Sequence, residues 1–381
     1  MLENSPVDSR KVSIADIFFR SKELERQGID VIHLDVGEPD YPPPSEVVHA
    51  TSMAIENGKT RYTGPGGIPE LRSEIAQHVS SKFGVKVSSS QVLFTAGGRF
   101  ALFLAFSSLP KDSKVGIICP DWPAYRDLCE FFSIKVRFFN TTLENFWLPD
   151  LGEIENSDCT ALILNYPNNP TGKMLDTGFF DKLVELCSSK GMKLISDEVY
   201  SDFALNGMKF KSLIESGISP DRIFTTSMSK SYSMTGYRAG YLISEESTVA
   251  RLLELNGLVL TSAPEFVQYG AISALRDDSF VKEKVELLRR RRAIACKALE
   301  SKRFEFYPSD GSLYLFPKLN SHDRDRVDSG QFARELLEKE HVSVTPGTVF
   351  GSGYSQFIRI TLLQNETRIE EGIERISHFL N

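Results

Sequence analysis

One lysine of this chain has an unusual set of neighbours. Lys230 lies among serines, in the stretch Ser-Met-Ser-Lys-Ser-Tyr-Ser at 227–233, and no acidic residue occurs from Phe224 to Tyr241. A lysine without charged neighbours is suited to a buried or cleft position, where burial lowers its pKa and supplies the neutral amine of Schiff-base chemistry. The alternative is a serine-rich surface loop that carries a solvated lysine.

An arginine follows this lysine at a short distance along the chain. Arg238 stands between Gly236 and Gly240, and it comes after Lys230 with no acidic residue between them. A guanidinium with nearby hydroxyl groups, such as that of Ser227, forms a phosphate site. A Schiff-base lysine next to a phosphate anchor is the combination that pyridoxal 5'-phosphate (PLP) requires, so the sequence predicts a PLP site here.

Further candidates stand where predicted strands end. The strand at 91–95 runs into Gly98 and Arg99 at the start of a helix. Free N–H groups and the helix dipole favour an anion at such a place. Trp122 follows the strand at 115–119, and it is either a stacking group for a planar ligand or a core residue.

Two later strands also end in polar side chains. The strand at 160–164 leads into a rigid, proline-rich loop that carries Asn169, and such a loop aims an amide group at low entropic cost. The strand at 193–196 is followed by Asp197 and Tyr200, where the carboxylate is either a cap or a site residue. Ligands of parallel sheets bind beyond these strand ends.

Three more candidates lie outside these strands. Gly37 ends the short strand at 31–36, and it either lets a ligand approach the backbone or forms a tight turn. Tyr62, in a polar Gly-rich loop, is a loop anchor or a ligand contact. Arg359 lies within the apolar strand at 357–361, where an arginine is costly unless it binds an anion.

Composition excludes several classes of function. The chain has 381 residues, of which 41% are hydrophobic and 25% charged, and a net charge of -7; this is typical of a soluble globular protein with two domains or one large core. The basic run Arg289–Arg292 is interpreted as a solvated helix face, so no nucleic-acid partner is expected. No segment approaches the roughly 18 apolar residues of a membrane span.

The cysteines and the amino terminus indicate the compartment. The five cysteines are scattered and form no CxxC pair, which argues against a zinc site and a disulfide framework and fits a reducing cytoplasm. No metal is expected. Residues 1–10 are polar and lack the apolar core of a signal peptide.

The order of elements predicts an α/β fold. Strands alternate with helices from about residue 90 to residue 243, which is typical of a mostly parallel sheet. A helix is expected at 45–57 with Ser45 as its N-cap. After a long charged helix at 279–301, the shorter elements indicate a smaller α+β domain. Its strands are predicted at 304–307, 312–316, 342–344 and 357–361, and its helices at 329–340 and 366–379.

The ordered set of motifs resembles the class I aminotransferases, the fold-type I PLP enzymes, over nearly the whole chain. The similarity is carried most strongly by residues 169–172 (Asn-Pro-Thr-Gly), 197–200 (Asp-Glu-Val-Tyr) and 227–240. The Met-Thr-Gly-Tyr-Arg segment is similar to the aspartate aminotransferase subfamily. The protein is expected to be cytoplasmic, and the resemblance implies an amino acid and a 2-oxo acid as its small-molecule substrates.

The resemblance also implies the domain organisation. A large PLP-binding domain is expected at 45–280, with a mostly parallel sheet of the seven-stranded type flanked by helices. Residues 1–44 and 281–381 are expected to form the smaller α+β domain together. A homodimer with shared active sites is implied as well.

The resemblance assigns roles around the cofactor ring. Lys230 would form the Schiff base and later move the proton between the substrate Cα and the cofactor. Asp197 would pair with the pyridine nitrogen and keep it protonated. Asn169 and Tyr200 would hydrogen-bond the phenolic oxygen, and Trp122 would stack on the ring.

The resemblance also assigns the groups that hold phosphate and substrate. Gly98, Arg99, Ser227 and Arg238 would hold the phosphate, with Tyr62 reaching over from the neighbouring subunit. For the substrate, Arg359 would bind the α-carboxylate bidentately, with help from the Gly37 amide and from Asn169.

Substrate specificity is the point at which the sequence departs from the dicarboxylate-specific members. Their loop arginine has no counterpart in the matching segment 256–264, but related bacterial members use a basic residue at the place of Arg99. The resemblance therefore implies aspartate or glutamate as the donor and 2-oxoglutarate as the acceptor, with aromatic or neutral amino acids, as in broad or alanine-type members, as the alternative.

Two other hypotheses use the same fold. One is a C–S lyase or a cyclopropane-forming lyase, which would release its product without a keto-acid acceptor. The other is a PLP-binding regulator, which normally carries a DNA-binding domain ahead of the fold; here too few residues precede the predicted sheet for such a domain.

Overall fold

The computed structural model describes residues 12–319 and 328–380. The predicted polar amino terminus at 1–10 lies outside these residues. The helices are α1 Ile14–Arg26, α2 Ser45–Glu56, α3 Pro69–Phe83, α4 Gly98–Ser107, α5 Ala124–Phe131, α6 Leu151–Glu155, α7 Thr177–Ser189, α8 Met228–Ser231, α9 Glu246–Val259, α10 Glu265–Arg276, α11 Ser279–Ser301, α12 Ser329–Glu340 and α13 Glu366–Leu380. The strands are β1 Ile32–His33, β2 Val92–Ala96, β3 Lys114–Cys119, β4 Lys135–Asn140, β5 Ala161–Asn165, β6 Lys193–Asp197, β7 Arg222–Ser227, β8 Ala239–Ile243, β9 Tyr314–Leu315, β10 Val342–Ser343, β11 Thr345–Pro346 and β12 Ile358–Thr361.

The main sheet has the architecture that the sequence predicts. Within the described residues its seven strands lie in the order β2-β8-β7-β6-β5-β3-β4. All neighbouring pairs are parallel except those of β8, which runs antiparallel to β2 and β7. The buried strand β5 is apolar on both faces, as expected where helices cover both sides of a parallel sheet. The prediction of a mostly parallel α/β fold is confirmed.

The register of this sheet brings the polar strand ends together. Asn165 at the end of β5 is opposite Asp197 at the end of β6, and Asp197 is opposite Thr225 in β7. Ser227, the last residue of β7, is opposite Gly240 in β8. The carboxyl ends of three parallel strands therefore form one edge, where ligands of such sheets bind.

Two smaller sheets lie apart from the main sheet, and one of them joins the amino-terminal and carboxyl-terminal segments of the chain. Parallel pairing links β1 to β10, with Ile32 opposite Val342. Antiparallel pairing gives the order β11-β12-β9, with Thr345 opposite Arg359 and Thr361 opposite Tyr314. Strands β1, β9, β10 and β12 share a buried apolar cluster with α1, α11, α12 and α13, so residues near both termini pack together.

Two local predictions are wrong. Ser45 is the first residue of α2 and not its N-cap, because Pro44 takes the cap position in an extended conformation and provides no side-chain cap. Residues 304–307 form no strand, and Glu305 makes only an isolated bridge to Lys318. Pro308 follows at once and has no N–H to extend a ladder.

The other helix boundaries follow local signals. α1 begins with a capping box between Ser13 and Asp16, and α3 begins with Pro69 and ends at Gly84 with φ 68°, as expected of helix ends. No helix in the described ranges has both the length and the apolar content required to cross a bilayer.

Candidate active site

A cavity of about 440 Å³ lies at the edge where the parallel strands end. It brings together all but one of the residues that the sequence singles out, although they are far apart along the chain. Its lining includes Gly37, Gly98, Arg99, Trp122, Asn169, Asp197, Tyr200, Ser227, Lys230, Arg238 and Arg359.

Lys230 is presented to this cavity by the short helix α8. Ser227 caps the helix by accepting a hydrogen bond from the Ser229 N–H at 3.1 Å. The Lys230 Nζ donates to the Gly37 carbonyl at 2.7 Å, and burial lowers the pKa of Lys230. A partly buried amine with a lowered pKa is suited to nucleophilic and base chemistry, so the solvated-loop alternative is wrong.

Asp197 is a buried residue of the cavity lining. Its Oδ2 accepts a hydrogen bond from the Tyr125 hydroxyl at 2.7 Å, and its Oδ1 accepts a longer one from the Val199 N–H at 3.4 Å. Burial raises the pKa of Asp197 to about 6, and the hydrogen bond from Tyr125 opposes this rise. No cation pairs with this carboxylate among the described residues. The protonated pyridine nitrogen of a bound PLP would supply the missing positive charge.

Tyr125 and Asn165 are functional candidates that the sequence reasoning missed. Tyr125 follows Trp122 by one turn, with its N–H bonded to the Trp122 carbonyl, and that spacing places both rings on one side of the chain. Asn165 donates to the Asp197 carbonyl at 3.0 Å and accepts from the Asn169 N–H at 3.0 Å. It therefore joins the ends of β5 and β6 to the loop that carries Asn169.

Arg359 also lines the cavity and is buried, with 4% of its surface exposed. It donates through Nη1 to the Asn169 side chain at 2.9 Å and through Nη2 to the Asp35 carbonyl at 2.6 Å. Thr345 accepts a further bond at 3.2 Å. In the described part of the chain Arg359 has no carboxylate partner, and its Nε has no acceptor. Such a buried cation is costly without an anion.

Tyr200 and Tyr314 line the same cavity, and Tyr314 lies next to Arg359. Their hydroxyl oxygens are 3.1 Å apart, and the Arg359 guanidinium lies 4.1 Å from the centre of the Tyr314 ring. Burial raises the pKa of Tyr200 well above its usual value, so its hydroxyl keeps its proton. Tyr314 was not predicted, because it reaches the site only through the pairing of β9 with β12.

The start of α4 forms an anion cradle. The first N–H groups of a helix, here those of Gly98 and Arg99, have no intrahelical acceptor. A Cβ at Gly97 would lie 2.5 Å from Arg238 Nη2, and a Cβ at Gly240 would lie 2.6 Å from Gly98 N. The absence of both side chains lets the guanidinium and β8 approach the helix start, as a phosphate site requires.

Arg99 and Trp122 lie at the mouth of the cavity. Arg99 is exposed, and its guanidinium lies 4.9 Å from the centre of the Trp122 ring. Trp122 in turn meets the Tyr125 ring edge-on at 5.6 Å. Trp122 is only partly buried, and it both lines the cavity and packs against a buried apolar cluster. Its stacking on a planar ligand stays a prediction.

Tyr62 is the one predicted site residue that does not line the cavity of its own chain. Its side chain is 88% exposed, in a loop held by a bond from the Thr63 N–H to Ser262 Oγ at 3.2 Å. Its predicted contact with the site of a neighbouring subunit stays a prediction.

Comparison with known proteins identifies the family. Residues 29–376 match the family model of class I and II aminotransferases. The chain is 33% identical to a probable aspartate/prephenate aminotransferase of Aquifex aeolicus, over 95% of this chain and 94% of that protein. It is 31% identical to a (5-formylfuran-3-yl)methyl phosphate transaminase of Methanocaldococcus jannaschii, over the full length of both.

Solved structures agree with this match. The crystal structure of the Thermotoga maritima aspartate aminotransferase superposes with a TM-score of 0.91 at 30% identity, over 97% of this chain and 98% of that one. A Methanococcus jannaschii protein, described as similar in its active site to kynurenine aminotransferases, superposes over all of both chains with a TM-score of 0.88 at 32% identity.

The residues present fit the cofactor of this family. A lysine with a lowered pKa, an unpaired buried carboxylate and a glycine-lined anion cradle line one cavity, and PLP offers an aldehyde, a ring nitrogen and a phosphate to such groups. No group of three potential metal ligands occurs in the parts of the chain that the structure describes. The chain belongs to the class I and II aminotransferases and is a PLP-dependent aminotransferase of fold type I.

Proposed function

We propose that this aminotransferase moves the amino group of aspartate or glutamate to a 2-oxo acid such as 2-oxoglutarate. The observation that carries the proposal is a pair of arginines, buried Arg359 and exposed Arg99, which line the same cavity as Lys230. Each of these donors has two carboxylates, and a guanidinium binds a carboxylate through two parallel hydrogen bonds. A neutral donor would leave one of the arginines without an anion.

We also propose which residues hold the ring of the cofactor. Lys230 binds it covalently, and Asp197 pairs with its pyridine nitrogen. Asn169 and Tyr200 hydrogen-bond the phenolic oxygen, while Trp122 stacks on the ring. The support for these roles is that all five side chains line one cavity and that Asp197 has no other cation at hand among the described residues.

The phosphate is assigned to the part of the cavity at the start of α4. We propose that the amides of Gly98 and Arg99 bind it, together with Ser227 and Arg238. The free N–H groups at the start of α4 and the closeness of Arg238 to Gly97 support this placement.

The chain's own residues then divide the work of the reaction. Bound PLP supplies an electron sink for the electrons of the Cα–H bond. Arg359 and the Gly37 amide hold the α-carboxylate and so fix the substrate Cα relative to Lys230. The Lys230 Nζ takes the proton from Cα, and a base placed in this way contributes roughly 10²–10⁴-fold to the rate.

The distal carboxylate is assigned to Arg99. Within this chain the segment 256–264 contains no arginine, and its Leu258 is 85% exposed. Arg99 lines the cavity at its mouth and keeps an exposed guanidinium, so it is the available partner for a second negative charge. The names of the Aquifex aeolicus and Thermotoga maritima relatives, which include aspartate, support the same substrate class.

Aromatic donors are the second candidate. The cavity lining includes the apolar side chains of Ile14, Val36 and Leu102, which would pack against an aromatic ring. The likeness to the Methanococcus jannaschii protein, whose active site is compared with kynurenine aminotransferases, favours the same alternative. Release of product without a keto-acid acceptor would instead indicate a lyase.

We propose that the enzyme works as a homodimer with shared sites, in which Tyr62 contacts the phosphate in the partner. The support is that Tyr62 and the neighbouring Leu258 segment expose large apolar groups.

The same interpretation divides the chain into a large domain at 45–280 and a small domain formed by 1–44 with 281–381. The pairing of β1 with β10 supports that division.

All five cysteines are unpaired and buried, which favours a cytoplasmic location.

A donor screen tests this proposal. Purified enzyme is assayed with 2-oxoglutarate and with acidic, aromatic and neutral amino acids. In an Arg99→Ala variant, kcat/KM for aspartate should fall about tenfold or more, because one charge-assisted hydrogen bond is worth about 1.5–3 kcal/mol, while kcat/KM for phenylalanine should change little.

An Arg290→Ala variant is the matched control. This arginine lies on α11, and 63% of its side chain is exposed, so its removal should affect neither class of donor. Equal losses for aspartate and phenylalanine in Arg99→Ala would argue against the acidic-donor proposal.

A further inference from the structure

Tyr314 connects three groups of the site, although the reaction described above gives it no role. It lies in β9, and β9 pairs with β12, the strand that carries Arg359. Only 2% of Tyr314 is exposed, and its ring supports the Arg359 guanidinium at 4.1 Å. The ring is also perpendicular to that of Tyr200, with centres 5.8 Å apart.

The hydroxyl of Tyr314 occupies a space that only glycine leaves open. A Cβ at Gly37 would lie 1.8 Å from the Tyr314 oxygen, so the missing side chain of Gly37 is filled by this hydroxyl. The carbonyl of the same glycine accepts the hydrogen bond from Lys230 Nζ. Tyr314 is therefore wedged between the backbone that holds the lysine and the hydroxyl of Tyr200.

The hydrogen bond between the hydroxyls of Tyr200 and Tyr314 has one donor and one acceptor, and the choice decides where the Tyr200 proton points. Each phenol has one proton, so only one member of the Tyr200–Tyr314 pair donates in the bond of 3.1 Å. Arg359 lies on the ring face of Tyr314, and a cation there draws electron density from the phenol and favours Tyr314 as the donor. The proton of Tyr200 is then available to another acceptor.

We propose that Tyr314 is a positioning residue that donates its hydroxyl proton to the oxygen of Tyr200 and so reserves the Tyr200 proton for the phenolic oxygen of PLP. The inference rests on the proposed contact between Tyr200 and the cofactor. The ring of Tyr314 has a separate task, since it supports the guanidinium that binds the α-carboxylate. The two tasks can be separated by substitution.

The hydroxyl is tested in the holoenzyme with Tyr314→Phe, and the readout is the pH midpoint of the change in visible cofactor absorbance. A donor to the phenolic oxygen stabilises its ionised form and lowers that midpoint. Tyr200 becomes a weaker donor without the bond from Tyr314, so the midpoint should rise by roughly 0.2–0.5 pH unit. A fall, which would mean that Tyr314 is the acceptor, or an unchanged midpoint would overturn the proposal.

Two further variants separate this role from a structural one. Tyr354→Phe removes a buried hydroxyl that bonds the Thr141 carbonyl at 3.0 Å, and it should leave the midpoint unchanged. Tyr200→Phe should raise the midpoint more than Tyr314→Phe does. If Tyr200→Phe has no effect, the assumed contact of Tyr200 with PLP is wrong; an effect of Tyr200→Phe without one of Tyr314→Phe overturns the role of Tyr314 alone.

The ring is tested by binding of succinate, which has two carboxylates and no amino group. Its affinity for the holoenzyme is measured from the change in cofactor absorbance. Tyr314→Phe should bind succinate within about twofold of the wild type, whereas Tyr314→Leu should bind it about tenfold more weakly, because the cation–π support of Arg359 is lost. Equal affinities in the two variants would contradict the supporting role of the ring.

Discussion

The hydrogen bond from Tyr125 to Asp197 should control how tightly the enzyme holds PLP at neutral pH. The donor and acceptor oxygens are 2.7 Å apart, and both side chains are buried. Tyr125→Phe removes the bond and nothing else from the site. A hydrogen bond to a charged group is worth about 1.5–3 kcal/mol, which corresponds to about one to two pKa units.

The sign of the effect follows from the carboxylate. Burial already raises the pKa of Asp197 to about 6, and the Tyr125 bond lowers it, so its loss should raise that pKa to about 7–8. At pH 7 the ionised fraction of Asp197 would then fall from about nine-tenths to between about a half and one-tenth. In the proposed site only the ionised form pairs with the protonated pyridine nitrogen of PLP, so PLP affinity at pH 7 should fall about twofold to tenfold.

The assay is titration of the cofactor-free protein with PLP at several pH values. The difference in affinity between Tyr125→Phe and the wild type should shrink as the pH rises above the pKa of Asp197 in the variant. Tyr354→Phe, which also removes one buried hydroxyl, should bind PLP like the wild type. A loss of PLP affinity that is the same at every pH, or one that Tyr354→Phe also shows, would contradict an effect of Tyr125 through the pKa of Asp197.

Three other substitutions test separate features. Glu198 is buried and its pKa is raised to about 7, so the folded state loses stability as the pH rises from about 4.5 to 7. Urea unfolding at pH 5 and pH 8 measures the difference between the free energies of unfolding at these two pH values. Glu198→Gln should reduce this difference by up to about 3 kcal/mol. The same difference in the variant and in the wild type would contradict the expectation. Gly240→Ala places a Cβ 2.6 Å from Gly98 N and should weaken PLP binding at least tenfold, as measured by fluorescence quenching. Gly236→Ala, with open space around its Cβ, should bind PLP like the wild type. Equal PLP affinities of the two variants would count against the phosphate cradle. Arg359→Lys should raise KM for every donor about tenfold or more, because a lysine cannot bind a carboxylate bidentately. An unchanged KM in steady-state kinetics would show that Arg359 does not bind the substrate.

The sequence predicts the residues at strand ends well, because one physical rule places them. Asp197 and Ser227 are the last residues of buried strands, Asn169 follows another such strand, and parallel strands bring their carboxyl ends to one edge. The observed register of β5, β6 and β7 joins these ends in one cavity. Lys230 belongs to the same edge, because α8 begins directly after β7.

The residues that the sequence does not reveal act through long-range packing. Tyr314 stands in a short apolar segment, and only the antiparallel pairing of β9 with β12 brings it to Arg359. Tyr125 lies inside an ordinary helix start, and only its distance to Asp197 shows a role. Tyr62 marks the opposite limit, since its contact with a partner subunit is a proposal that concerns two chains and not the geometry of one.

The most direct test of the account is the attachment site of the cofactor. Holoenzyme is treated with borohydride, which fixes PLP to the amine that carries it, and is then digested and analysed by mass spectrometry. We expect a single pyridoxyl-modified peptide with the label on Lys230, and no such peptide from Lys230→Ala. A label on another lysine, or wild-type turnover by Lys230→Ala, would contradict it.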